Sequence, residues 1–379
     1  MEYRQFGSLD WKVSALGFGC MRFPLIDGDS GRIDEKHAAE MLYYAIDHGV
    51  NYIDTAYLYH SGQSEGFVGR TLQGAYRDKV KLATKLPCWK VEQKEDFDHY
   101  LNEQLCRLKT EQIDFYLLHA LSGKSWQKME QLDVLPWAEK ALEDGRISHL
   151  GFSFHDEYPA FKTIIDAYDS WEFCQIQFNY MDVDYQAGKK GLDYAAENDL
   201  AVVIMEPIRG GRLIDPPQQV QDIWEQSEVQ RTPADWALQW LWNQPEVSVV
   251  LSGMSEMQHV VENVTSATKS GIHSLVEAEL DTVARAREEY ENLALIPCTR
   301  CGYCVPCPEG VDIPRILNIY NDSIMYDKHE IAKIDYNNWV PVKNRANLCV
   351  ACGECEEKCP QGIPVSEWNV KIDKLFTTD

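Results

Sequence analysis

Two cysteine runs near the C-terminus carry the most specific chemistry in the chain. One reads Cys298-x-x-Cys301-x-x-Cys304-x-x-Cys307-Pro308, the other Cys349-x-x-Cys352-x-x-Cys355-x-x-x-Cys359-Pro360. Together they hold eight of the 12 cysteines. Thiolates two residues apart can all turn inward around one small soft centre, and four per centre satisfy a [4Fe-4S] cube. A four-cysteine zinc site instead needs two pairs with a longer spacer, and has no use for a third closely spaced cysteine. Disulfides belong to exported chains, and the opening Met1-Glu-Tyr-Arg-Gln-Phe lacks an apolar signal segment. The runs therefore predict two iron–sulfur clusters. In two-cluster modules the fourth cysteine of each run serves the other cluster. That rule groups Cys298, Cys301, Cys304 and Cys359 around one centre, and Cys349, Cys352, Cys355 and Cys307 around the other. The first run is one residue shorter before its last cysteine, so the partner of Cys307 is the least determined of the eight.

A second set of reactive types is scattered through the first third of the chain. Asp54 ends the apolar stretch Asn-Tyr-Ile-Asp54, Tyr59 follows five residues later, Lys85 ends Leu-Ala-Thr-Lys85, and His119 ends Phe-Tyr-Leu-Leu-His119. A charge at the end of an apolar strand is costly unless paired, and Asp54 with Lys85 supplies the pair. The lysine cation would favour the phenolate of Tyr59 and lower its pKa, while His119 can hydrogen-bond the same substrate oxygen. The four together make a proton donor for a carbonyl that receives hydride. Taken singly, an aspartate at a strand end is often a helix cap, a lysine a surface residue and a histidine a core donor; the joint placement on successive strands is what points to chemistry.

The elements that must position these residues can be read from periodicity. Strand-like runs at Ala15–Cys20, Asn51–Ala56, Val80–Leu86, Ile113–His119, His149–Phe154, Cys174–Asn179, Val202–Glu206 and Val247–Gly253 alternate with helical patterns. Among the latter are Glu35–His48, Gln63–Gln73, Glu95–Leu108, Trp126–Glu143, Lys189–Asn198, Pro233–Asn243 and Glu256–Ala267. Strand, helix, strand in repetition means right-handed crossovers and a parallel sheet. Eight units in about 250 residues fit an α/β architecture closed as a (β/α)8 TIM barrel. Gly17-Phe-Gly19 lacks the third glycine of a dinucleotide fingerprint, which weakens a Rossmann reading. A charged helix at Leu275–Leu293 is expected to strap the barrel, which gives a barrel with trailing helix over 1–294 and a small, mostly helical cluster domain over 295–379.

Asp54-Thr-Ala-Tyr-Leu-Tyr59, followed by Ser64-Glu65 and Gly69, resembles the signature of the aldo-keto reductases, and Lys85 and His119 match that family's other two catalytic positions. The likeness continues through Gly151-Phe-Ser153, Gln175 to Tyr180, Glu206-Pro207 with Gly210-Gly211, and Ser252-Gly253 to Asn263. The cysteine module resembles the two-cluster, ferredoxin-like domain of an iron–sulfur branch of the same family. The resemblance implies an oxidoreductase with Tyr59 as general acid, Lys85 as its activator, Asp54 as orienting anion and His119 as carbonyl orienter. It further implies that Ser153 and Gln177 hold the nicotinamide of NADP(H) or NAD(H), and that Gly210 and Gly211 lie near the pyrophosphate. Ser252, Gly253, Ser255, Gln258 and Asn263 would line the adenosine end. Two departures stand out. Ser153 is followed by Phe154-His155 where an asparagine is common, and 247–268 carries no Lys or Arg to pair a 2′-phosphate, leaving Arg212 or another distant cation for that task.

Composition bounds the alternatives. A charged fraction of 25% and an apolar fraction of 45% describe a water-soluble chain with ample core, and no run reaches a membrane span. The lack of a signal segment and of a membrane span, with oxidisable cysteines, leads to the expectation of a reducing cytoplasm, and the net charge of −24 argues against nucleic acid or anionic membrane as partner. Hydride moves two electrons and a cluster one, so a flavin is a possible intermediary, and barrel mouths do bind flavin phosphates. The leading expectation is thus an NAD(P)H-dependent reductase of a small carbonyl substrate. The alternatives are a flavin- or ferredoxin-linked reductase and a redox-sensing or electron-transfer subunit, each with a redox partner protein. Pro87, Cys88 and Trp89 after Lys85, and Ala120–Trp126 after His119, are expected to form an aromatic entrance, although Trp89 or Trp126 taken alone is more readily a packing residue.

Overall fold

The computed structural model describes residues 1–377. By contact it divides into two compact units, Met1–Gly210 with Ala234–Val276, and Gly211–Pro233 with Glu277 onward. This division does not fall at 294/295, where the sequence places it. The charged helix expected to strap the barrel belongs to the second unit, and so does an insertion after the seventh barrel strand.

The first unit begins with a hairpin, β1 (Tyr3–Gln5) and β2 (Lys12–Ser14), that the alternation of the sequence does not reveal. Eight parallel strands then close a barrel: β3 (Leu16–Gly19), β4 (Tyr52–Asp54), β5 (Lys81–Leu86), β6 (Ile113–Leu121), β7 (Ile147–Phe154), β8 (Phe173–Gln177), β9 (Ala201–Met205) and β10 (Val247–Gly253), the last pairing with β3. All eight coincide with the strand-like runs of the sequence to within two or three residues at an end. Around them lie α1 (Glu35–Asp47), α2 (Ser64–Thr71), α3 (Glu95–Leu108), α4 (Gly123–Gln131), α5 (Val134–Glu143), α6 (Tyr158–Asp166), α7 (Gly188–Glu197), and, after the insertion, α9 (Pro233–Trp242) and α10 (Met257–Ala267). The helix expected over Trp126–Glu143 is two helices, because Asp133 between them takes a left-handed φ of 55°. Ser122 opens the first of the two with a reciprocal capping box to Ser125.

Side chains on a strand alternate between faces, and this decides what fills the barrel. Tyr52, Ala83, Phe115, Leu117, Phe173, Val203, Val249 and Leu251 form one buried cluster, joined from the hairpin by Phe6 and Val13. Phe6 lies 4.8 Å from the Phe115 ring and 5.8 Å from Phe173, so the hairpin closes the amino end with aromatic contacts, each burying enough apolar surface to stabilise by roughly 2 kcal/mol. Gly151 is required by this packing, because a Cβ there would stand 2.4 Å from the Phe173 carbonyl oxygen. Moving two residues along each inward column reaches the polar mouth: Tyr52 leads to Asp54, Ala83 to Lys85, Leu117 to His119, Gly151 to Ser153.

In the second unit, α8 (Gln218–Glu225) packs with α11 (Glu277–Asn292), and Arg231 pairs with Glu279 at 2.6 Å. Beyond them, α12 (Ile313–Met325), α13 (His329–Trp339) and α15 (Val365–Thr377) enclose a separate core of Ile313, Ile316, Leu317, Tyr336, Ile372 and Phe376, with the short α14 (Glu354–Glu357) inside the second cysteine run. Six of the eight clustered cysteines pack against this core. Asn321 ties the entering chain down, donating to the Ile296 carbonyl and accepting from its amide at 2.7 and 3.0 Å.

Candidate active site and candidate metal centres

The carboxyl ends of β4, β5 and β6 bring Asp54, Lys85 and His119 together with Tyr59 from the loop after β4. Lys85 is 1% exposed. Its ammonium donates to Asp54 Oδ1 at 2.7 Å and to the Thr55 carbonyl at 2.8 Å, and reaches the Tyr59 hydroxyl at 3.4 Å. Burial alone would lower the lysine pKa, but Asp54 and Tyr59 outweigh it and hold Lys85 charged, with its pKa raised. The expected lowering of the Tyr59 pKa is not the net result. Burial pushes the phenol above its ordinary 10, and the pull of Lys85 offsets only part of that. Tyr59 is therefore a protonated phenol at neutral pH, with a cation beside it to receive the negative charge it would leave behind. The His119 ring stands edge-on to Tyr59, centroids 6.3 Å apart, and 5.1 Å from Trp89. Burial, with Lys85 and His155 adding to it, holds His119 well below its ordinary pKa, so the imidazole is neutral and its Nδ1 is buried without a protein partner.

Beside this group, Ser153 on β7 is buried and accepts from the Ala120 amide at 2.7 Å. Gln177 at the end of β8 donates to Asp182 at 2.9 Å, and Arg209 pairs with the same carboxylate at 3.2 Å. Both side chains suggested for the nicotinamide are thus pinned in place at the mouth. At β10, Ser252 is buried and accepts from Asn263 at 3.0 Å, which links the strand end to α10. Ser255 and Gln258 are exposed, and Gln258 is bonded to Glu262 on its own helix rather than to Asn263. Gly210 and Gly211, at φ 64° and 92°, sit in a tight turn after β9. Gly211 opens the second unit.

The eight clustered cysteines ring two cavities. Cys298, Cys301, Cys304 and Cys359 line one. Cys307, Cys349, Cys352 and Cys355 line the other, together with Cys304. Each cavity is lined by the four cysteines that the two-cluster rule groups together. Among the described residues no three His, Cys, Asp or Glu side chains converge as they would on one bare ion; the sulfurs surround larger spaces. The donor set, four soft thiols per cavity, fits a [4Fe-4S] cube.

Residues 15–281 match the aldo/keto reductase family. The chain belongs to that family. It is an oxidoreductase, and residues 297–364 match a 4Fe-4S dicluster domain, so it is an aldo/keto reductase that carries an iron–sulfur module. Its fold is similar to that of an aldo-keto reductase from Bacillus halodurans in the holo form, with a TM-score of 0.62 and 25% identity over 76% of this chain and 96% of that one. An aldo-keto reductase from Klebsiella pneumoniae, solved in complex with NADPH, shares the fold with a TM-score of 0.58 and 24% identity over 75% of this chain and 95% of that one. In sequence, the chain is 27% identical to a 6-dehydroglucose reductase from Novosphingobium aromaticivorans over 69% of its own length and 88% of the relative's.

Several residues around the reductase site escaped the sequence. Glu65, visible only as part of a signature, is fully buried at the start of α2 and accepts from Thr84 at 2.7 Å, Gln104 at 2.6 Å and Arg107 at 3.2 Å. Gln104 also donates to the Lys85 carbonyl at 3.0 Å, so this network holds the strand that carries the lysine. A Glu after the Ser64 of the turn was the available signal, but its partners lie on two other elements, β5 and α3. Arg22, after β3, packs on Gly253 so closely that a Cβ there would stand 2.7 Å from its Cγ. It supplies a cation beside a segment that has none of its own. Arg212, the cation first considered for that end, is paired with Asp335 in the second unit. The expected aromatic entrance is corrected at one residue: Trp126 is 1% exposed and packs on Trp171, whereas Trp89 is 45% exposed beside His119. Cys88 is buried and its thiol pushed up to about 12, which makes it a packing residue rather than a nucleophile.

Proposed function

We propose that the protein reduces the carbonyl group of a small aldehyde or ketone with NADPH, using Tyr59 as proton donor. The observation that carries this reading is the buried Lys85 ammonium, bonded to Asp54 and within 3.4 Å of the Tyr59 hydroxyl. Nicotinamide, when bound, supplies the hydride that adds to the carbonyl carbon. Tyr59 transfers its phenolic proton to the carbonyl oxygen, completing the alcohol, and is reprotonated from solvent after turnover. Lys85 stabilises the phenolate formed in that transfer, and Asp54 keeps Lys85 charged and aimed. Neutral His119 donates a hydrogen bond to the substrate oxygen and orients it. Ser153 and Gln177 hold the carboxamide, Gly210 and Gly211 lie along the pyrophosphate, and Ser252, Gly253, Ser255, Gln258 and Asn263 frame the adenosine. Arg22 pairs the 2′-phosphate, which favours NADPH over NADH.

Cys298, Cys301, Cys304 and Cys359 ligate one [4Fe-4S] cluster, and Cys307, Cys349, Cys352 and Cys355 the other. Because Cys304 borders both cavities, the clusters are close enough to exchange electrons. That supports the second reading, a flavin- or ferredoxin-linked reductase fed through the module by a redox partner in the cytoplasm. No helix among the described residues is long and apolar enough to cross a membrane.

The test is turnover of simple aldehydes with NADPH by anaerobically purified protein, together with iron, sulfide and flavin content. The expected result is aldehyde reduction without flavin, lost by about 10²–10⁴-fold in Tyr59→Phe with the fold intact. A bound flavin, with no NADPH turnover until an electron donor is added, would replace this reading by the second.

A further inference from the structure

Asn369 is 1% exposed, yet neither its amide nitrogen nor its carbonyl oxygen has a hydrogen-bond partner. It belongs to the buried stripe of α15, between Val365 and Ile372, where an apolar residue would be cheaper. An orphaned amide there is unfavourable. Its side chain lines the cavity of Cys307, Cys349, Cys352 and Cys355. The neighbouring polar side chain on the same helix, Ser366, is already committed: its hydroxyl and amide both donate to Glu356, at 2.6 and 2.8 Å. The other cavity is lined by Thr299, Arg300 and Gln361 beside Ile313, Leu317 and Ile363, but no buried amide left without a partner lines it among the described residues.

We infer that Asn369 donates a hydrogen bond to a sulfur of the cluster held by Cys307, Cys349, Cys352 and Cys355, and thereby raises the reduction potential of that cluster. The inference rests on the cluster assignment proposed above. Reduction adds one electron, and so one negative charge, to a centre already surrounded by four thiolates. A fixed N–H donor stabilises the reduced form more than the oxidised one, and hydrogen bonds to the sulfurs are among the determinants of cluster potential. Beside the other cluster no buried side-chain amide without a partner stands among the described residues. Asn369 is thus a tuning residue: it sets the direction in which an electron settles within the module, whichever partner supplies it.

An EPR-monitored redox titration of the whole anaerobic protein tests this, with the two signals assigned beforehand in Cys301→Ser and Cys352→Ser. Asn369→Leu, close in volume and without a donor, is expected to lower the midpoint of the Cys352 cluster by about 59 mV, a tenfold change in its reduction equilibrium, and to leave the other midpoint in place. Asn369→Asp keeps the shape and substitutes a negative charge, so it lowers the same midpoint further. Unshifted midpoints in both variants, with the wild-type iron content retained, would overturn the inference. So would loss of that cluster in both variants, which would make Asn369 a folding residue. Wild-type protein with fewer than about eight iron atoms per chain would instead overturn the cluster assignment itself.

Discussion

At the barrel mouth, Lys85 is 1% exposed with its charge met at 2.7 Å by Asp54 and at 2.8 Å by a backbone carbonyl; in the cysteine module, eight cysteines joined by no disulfide ring two cavities. The first site is complete in its own side chains. Strand pairing, the Phe6–Phe115–Phe173 plug and the Glu65 network fix the backbone, and the buried ion pair then fixes the Lys85 ammonium. The second site is a set of eight soft thiols. Its thiols have reason to converge only when a soft centre takes their charge, and a module of this size has a small core to hold it otherwise. Preorganisation by protein contacts and organisation by a ligand are therefore found side by side in one chain.

The sharpest way to break this contrast is to remove a ligand from the module. Cys352→Ser is expected to lose one cluster and to expose α12, α13 and α15 to hydrogen exchange, while β3 to β10 keep full protection. Unchanged protection of those three helices would mean that their apolar core suffices, and the contrast would fall. Next in size is Lys85→Met, expected to lower turnover by about 10²–10⁴-fold with cofactor affinity nearly intact, because the protein contacts that hold the mouth are otherwise retained. The pH profile sharpens the same point. Carbonyl reduction needs Tyr59 protonated, and burial raises its pKa above 10, so the rate should stay level through neutral pH and fall only on the alkaline side. Lys85 pulls that pKa down, so the alkaline limb of Lys85→Met should move higher still. A limb near pH 6.5 in the wild type would instead show that His119 takes up a proton, contrary to its buried, neutral state. The smallest effect is expected from Arg22→Ala, about a tenfold rise in KM for NADPH with little change for NADH; equal changes for both cofactors would assign Arg22 to packing against Gly253.

Local sequence was sufficient for much of this. Strand alternation located all eight barrel strands and placed Asp54, Lys85 and His119 at their carboxyl ends, because a period of two decides which side chains share a face. Cysteine spacing led to two cluster centres, and the rule of two-cluster modules to the expectation that Cys307 and Cys359 exchange between them. The helix over Trp126–Glu143 was misread as continuous because nothing in its apolar pattern signals the left-handed Asp133. The boundary at 294/295 follows the cysteine runs, and the sequence does not register that α8 packs with α11, which groups both with the module by contact.

What only the tertiary structure decided depends on distance between elements rather than on residue type. The sign of the Tyr59 shift is one case: type and order predicted a lowering by Lys85, but burial, which no motif encodes, outweighs it. The partners of Glu65 come from β5 and α3, and the contact of Arg22 with Gly253 joins the first barrel strand to the last. Asn369 reads in the sequence as one polar residue on a helix face. Its meaning comes from the cavity that α15 turns it toward. Types and spacings are local properties that a chain carries even when unfolded, whereas desolvation and the pairing of distant groups exist only once the fold has excluded water from between them.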